Sequence, residues 1–151
     1  PPAAHFLGWA WYHAGDATKS QAAVTQHLTH DPTEGDTHFG LGVLALESGE
    51  LDPAETYFQR AIALQRDRPG RQRGVAKTMA RQAELLEQRG ELEAAFKLLE
   101  ASIAIDSSLY EAQFTQARIL RRLGRVEEAA AAERAAEIAK STFEESDTRP
   151  R

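Results

Sequence analysis

Cysteine is absent from all 151 residues. That excludes a disulfide-stapled secreted fold, a thiolate metal site and a thiol nucleophile. No apolar run reaches the roughly 18 residues that a membrane-spanning helix needs. Basic residues are outnumbered 18 to 23, the isoelectric point is near 5.6 and no long basic stripe occurs. Nucleic-acid binding rests on neutralising phosphates, so it is not expected here. Also missing are a glycine loop that could cradle phosphates, a nucleophile elbow, and a serine whose surroundings imply activation. Catalysis and a bound cofactor are therefore not expected. The chain opens Pro1-Pro2, without Met or a charged-then-apolar leader. It reads as an excised or processed piece, and its compartment is not legible, the cytoplasm and a bacterial periplasm both staying open. Arg outnumbers Lys 14 to 4 and Ala is abundant, a composition that points to a GC-rich bacterial source.

What the chain does have is a period. Glycine recurs at Gly15, Gly49, Gly90 and Gly124, at intervals of 34, 41 and 34. The middle interval is one 34-residue period with seven residues added. A fixed period of this length marks a solenoid, whose units bury their apolar faces only by stacking. Superposing the periods gives repeats at 1–34, 35–68, 76–109 and 110–140, an insertion at 69–75, and a polar tail or linker at 141–151, expected to be disordered. Residues 1–140 then form a single array.

The columns of that register agree. Eight places into each repeat stand Gly8, Gly42, Ala83 and Ala117, and five places past each glycine stand Ser20, Ala54, Ala95 and Ala129. Small residues on facing surfaces are what two closely packed antiparallel helices require. A third small column reads His27, Ala61, Ser102 and Ala136. Larger apolar residues fill the seam: Trp11, Ala45, Leu86 and Leu120 on the first helices, and Val24, Phe58 and Leu99 on the second. Each recurring glycine sits where the first helix must stop, in a left-handed cap. Asp16, Glu50 and Glu91 follow, where a helix dipole favours negative charge. Asp31-Pro32 closes the first repeat, and Pro69-Gly70 predicts a turn after which the third repeat's first helix begins early.

These residues resemble the tetratricopeptide repeat family, whose pattern has Leu-Gly in the first helix, an aromatic three places on, then Ala, an aromatic, Ala and a closing Pro. Repeat one carries Leu7, Gly8, Trp11, Gly15 and Pro32; repeat two carries Leu41, Gly42, Gly49, Ala54, Phe58 and Ala61. Repeats three and four have Gln82 and Gln116 in place of Leu and no closing Pro. The resemblance implies an all-α fold, a right-handed superhelical solenoid of antiparallel helix pairs in four repeats. It also implies a concave groove lined by the first helices, and a non-catalytic scaffold for protein–protein interaction. The alternative is a substrate-recruiting or regulatory arm of a larger enzyme.

By the same resemblance, the partner-binding places are His5, Phe6, Trp9, Tyr12 and His13 in repeat one, and Phe39 and Val43 in repeat two. Repeat three supplies Lys77, Arg81 and Glu84, and repeat four Phe114, Arg118 and Arg122. The first half is aromatic and apolar, and the second charged with a basic excess. A peptide with an apolar and an acidic part would complement it. Trp9 could instead pack on a preceding segment, Glu84 could pair with Arg118, and Arg118, Arg121, Arg122 and Arg125 could be a solvated helix end. One subgroup of the family clamps a chaperone's terminal carboxylate; Lys77 and Arg81 match two of its places, but His5, Trp9 and Gly40 do not supply the others. Chaperone-tail binding is therefore not expected. The five histidines, all within the first 38 residues, lack a compelling third ligand beside any pair, so no metal is expected.

Overall fold

Four left-handed glycines set the corners of the described chain, three of them at the glycine period. The structure, a computed structural model, describes residues 35–68 and 70–148. Every regular element among them is an α-helix: α1 Gly35–Glu47, α2 Leu51–Gln65, α3 Gln72–Gln88, α4 Leu92–Ile105, α5 Tyr110–Arg122 and α6 Val126–Thr148. The chain separates into two units, Pro1–Thr78 and Met79–Arg151, with the boundary inside α3. Repeat one, with Gly15 and its closing Pro32, lies outside the described residues.

Gly49, Gly90 and Gly124 have φ of 77°, 81° and 79°. Each donates its N–H to the carbonyl three residues back (Leu46, Glu87 and Arg121, all at 3.0 Å). The next N–H reaches five back: Glu50 to Ala45 at 2.8 Å, Glu91 to Leu86 at 2.9 Å and Arg125 to Leu120 at 2.9 Å. This is the Schellman closure, which satisfies carbonyls left open at a helix end. A Cβ at any of the three would meet nothing within 4 Å. Glycine is there for its backbone, not for space. Glu50 and Glu91 are the N-caps of α2 and α4 but make no side-chain capping bond. Their carboxylates act through the helix dipole alone.

In the first unit α1 packs on α2. Here glycine does serve space: a Cβ on Gly42 would lie 2.5 Å from Phe58 Cε1, inside any real contact. Ala54, Phe58 and Ala61 are fully buried, and the Phe39 ring tilts against Phe58 at 6.2 Å between centroids. In the second unit α5 packs on both α4 and α6. Ala83, Ala95, Leu99, Ser102, Ala117, Ala129 and Ala136 are buried there, so the small columns are core in both units.

Three features follow local chemistry that the period does not show. The insertion is mostly helix: Gly70, at φ 80°, and the Arg71 N–H to Arg68 carbonyl bond (3.3 Å) make a turn, and α3 starts at Gln72. Lacking a proline, α4 is ended by Asp106, whose Oδ1 accepts from Ser108 N at 3.0 Å and from Ser108 Oγ at 2.6 Å. Such an Asx turn competes with the helix for the backbone. The expected tail is a correction, since α6 continues to Thr148. Residues 141–148 contain neither Gly nor Pro to stop a helix, and Phe143 gains a ring contact with Tyr110 at 5.9 Å.

Candidate partner-binding surface

The start of α1, the end of α2 and the start of α3 converge on Gln65. That side chain is only 4% exposed. Two glycines admit it: a Cβ on Gly35 would stand 2.9 Å from Gln65 Cγ, and one on Gly74 would stand 3.2 Å from Gln65 Nε2. Gln65 Nε2 donates to Asp36 Oδ1 at 3.2 Å, and Arg71 Nη1 donates to Asp36 Oδ2 at 3.4 Å. Gln65 Oε1 is buried and accepts no hydrogen bond. A buried acceptor left open costs on the order of 1–3 kcal/mol, so its presence calls for a reason. Asp36, Phe39, Gln65, Gly70, Arg71, Arg73, Gly74 and Lys77 line a pocket of about 370 Å³ at this place. Its wall carries three cations and one carboxylate.

Phe39 and Lys77, expected from the resemblance, thus come together in one pocket. Val43, expected beside Phe39, does not: it is 3% exposed and belongs to the core, as do Gly40 and Leu46. In a helix whose apolar residues run almost continuously from Leu41 to Leu46, sequence alone does not tell an outward-facing valine from an inward one. His5, Phe6, Trp9, Tyr12 and His13 lie outside the described residues.

In the second unit most of the expected site residues are tied into ion pairs. Arg81 Nη1 donates to Glu84 Oε2 at 3.1 Å, one turn apart on α3. Arg118 therefore does not take Glu84 as its partner. It takes Glu87, through Nε to Oε2 at 2.9 Å and Nη2 to Oε1 at 2.6 Å, and Arg122 Nη1 joins Oε2 at 3.2 Å. The reason is position: Glu87 stands one turn beyond Glu84 and presents both oxygens to a single guanidinium, the bidentate arrangement. The Arg118 hydrogen bond holds the Glu87 carboxyl below its ordinary range, although burial pushes the other way. Arg121 pairs with Glu133, at 2.7 Å and 2.5 Å. Arg125 pairs with Glu128 at 2.6 Å and lies over the Phe96 ring at 4.6 Å. Phe114 is half-buried and meets Tyr110 edge to face at 6.4 Å. The expected basic excess is thus largely spent on this unit's own carboxylates.

Sequence reasoning missed Gln65, Arg71, Arg73, Gly74 and Glu87. For Glu87 a signal existed, because its column reads Tyr12, Leu46, Glu87 and Arg121, so a charge replaces an apolar residue. For Gln65 the column reads Asp31, Gln65 and Asp106, the helix-closing place. Among the described residues no group of three or more His, Asp or Glu is placed to hold a metal. No described helix is long and apolar enough to cross a membrane.

Comparison with known proteins agrees with this architecture. The crystal structure of MamA matches with a TM-score of 0.74 at 19% identity, over 94% of this chain and 79% of that one. An O-GlcNAc transferase from Thermobaculum terrenum matches with a TM-score of 0.70 at 21% identity, over 79% of this chain and 22% of that one. The first TPR of Spaghetti (RPAP3), solved bound to the HSP90 peptide SRMEEVD, matches with a TM-score of 0.69 at 18% identity, over 81% and 91%. At these identities the likeness concerns the fold. No curated protein sequence matches the chain. Tetratricopeptide repeat models match residues 33–108 and 81–142. With glycine-capped helices packed through small columns across both matches, the chain belongs to the tetratricopeptide repeat family.

Proposed function

We propose that this chain is a non-catalytic interaction scaffold that holds a peptide or protein segment against the first helices of its repeats. The observation that carries the reading is the pocket at Gln65, where an aromatic wall, Phe39, stands beside exposed cations. Buried columns of Ala, Gly and Ser offer no reactive group, so chemistry is left to such surface recesses. That Spaghetti is solved with a peptide bound supports peptide recognition as a use of this fold. The partner that fits is a segment with an apolar part for Phe39 and an acidic part for the cations.

The second reading, a recruiting arm of a larger enzyme, draws support from the likeness to one part of an O-GlcNAc transferase. Both readings require the isolated chain to bind a segment. The experiment is selection from a random peptide library displayed on phage, followed by titration of the synthesised winners. Saturable binding by several related sequences is expected. A selection that enriches nothing over an empty support would overturn both.

A further inference from the structure

The outward side of α6 carries charges that match themselves when read backwards. Ala130, Glu133, Arg134, Glu137 and Ile138 line a recess of about 480 Å³ that this one helix forms. Ile138 is 68% exposed, more than any other large hydrophobic side chain among the described residues. The earlier second helices are built otherwise. Glu133 stands in the column of the fully buried Phe58 and Leu99, Glu137 in that of Ile62 and Ile103, and Ile138 in that of Ala63 and Ala104. The outside of α6 is therefore no copy of the apolar face that the earlier repeats carry. Arg134 and Glu137 are exposed, and neither makes an ion pair or hydrogen bond among the described residues. Lys140 is likewise exposed and unpaired among them. At about 3.6 residues per turn, Ala130, Arg134, Glu137 and Ser141 form one stripe, spaced four, three and four, the spacing of a seam between two helices.

The geometry points to a second copy of this chain as the occupant of that stripe, the two α6 helices running antiparallel about a two-fold axis level with the Ala135–Ala136 bond of each. Arg134 then faces the other copy's Glu137, and Glu137 the other copy's Arg134. A parallel pair would instead set Arg134 on Arg134 and Glu137 on Glu137. Ala130 meets the other copy's Ser141, so small side chains let the helices close. On one flank Ile138 covers the other copy's Ala131, and on the other flank Glu133 and the other copy's Lys140 meet as opposite charges. Each of these contacts occurs twice, as an isologous interface demands. The like-charged meeting is Glu127 with Glu144, at the two ends, where both are exposed and screened by salt. A foreign partner would have to supply the same order of small, cationic, anionic and apolar residues, whereas a second copy already carries it. One helix face is smaller than the ~800 Å² per partner of a standard interface, so the pair is weak and depends on concentration.

The test measures the mass of the full chain by sedimentation equilibrium from about 10 μM to about 1 mM. The parent is expected to approach twice the monomer mass at the high end. Arg134→Glu and Glu137→Arg each set like charges against each other twice and should stay monomeric, with circular dichroism matching the parent. Mixed in equal amounts, the two variants should associate about tenfold or more tightly than either alone, because each supplies the charges that the other lacks. Ile138→Glu should weaken the parent's association about tenfold or more. A parent that stays monomeric throughout overturns the inference. So do charge variants that associate as the parent does, which would put the interface elsewhere, and a mixture no tighter than its components, which would put the two helices in another register.

Discussion

Arg118 embraces Glu87 through two nitrogens at once, Nε at 2.9 Å and Nη2 at 2.6 Å, while the carboxylate's side chain is only 10% exposed and the guanidinium's 55%. The asymmetry decides which residue the fold depends on. A buried carboxylate needs its counter-charge, whereas an arginine that is half in water does not. Arg118→Ala should destabilise by about 1 kcal/mol, held to that figure by solvent screening and by Arg122 remaining in place. Glu87→Ala in the Arg118→Ala background should cost less than in the parent. Urea denaturation of the double-mutant cycle measures the coupling, and a coupling of zero would mean that the pair is incidental.

The same pair gives a pH dependence. Glu87 has its carboxyl held below the ordinary value of 4.5, so the folded state binds that proton less readily than the unfolded state. Its contribution is present above the unfolded value and is lost as pH falls through the lowered folded value. Between about pH 6 and about pH 3, the parent's melting temperature should therefore fall more steeply than that of Glu87→Gln. Parallel curves would show that another carboxylate governs acid unfolding.

Two glycines should fail for opposite reasons. Gly42→Ala places a methyl 2.5 Å from the Phe58 ring and should cost roughly 2 kcal/mol or more by overpacking. Shortening Phe58 to Leu should recover part of that loss. Gly90→Ala has open space but a φ of 81°, and should cost about 1 kcal/mol through backbone strain alone. Asn, which tolerates the left-handed region, should rescue position 90 and not position 42. Equal losses for Ala and Asn at 90 would contradict the assigned strain.

The last turns of α6 depend on one ring. Phe143→Ala removes the contact with Tyr110, so amides in 141–148 should exchange with deuterium faster while those nearer Val126 keep their protection. Unchanged exchange across α6 would show that intrinsic helix propensity, not the ring contact, carries the extension.

The architecture was legible because it is written in residue size. Gly42, Ala54, Ala61, Ala83, Ala95, Ala117, Ala129 and Ala136 fall in columns, and a column is visible in sequence. The glycine corners were equally plain, since few residues occupy a left-handed cap. The recess at Gln65 was not, because it depends on three separate segments meeting, two of them through glycines that no period singles out. Charge pairing was misread by one turn at Glu84 for the same reason: sequence places both Glu84 and Glu87 near Arg118, and only geometry shows which offers two oxygens to it. The helical extension was hidden by polarity, since residues 141–148 look solvated whether or not they are ordered.

A core of alanines carries a consequence for how such a protein can change over generations. Ala54, Ala61, Ala76, Ala83, Ala95, Ala117, Ala129 and Ala136 each fix a helix spacing but impose almost no shape on what lies opposite. Drift is therefore punished at few places, chiefly where a side chain would grow, and is cheap on the outward columns. A lineage can exchange exposed residues such as Arg71, Arg73 and Lys77 without renegotiating how its helices meet.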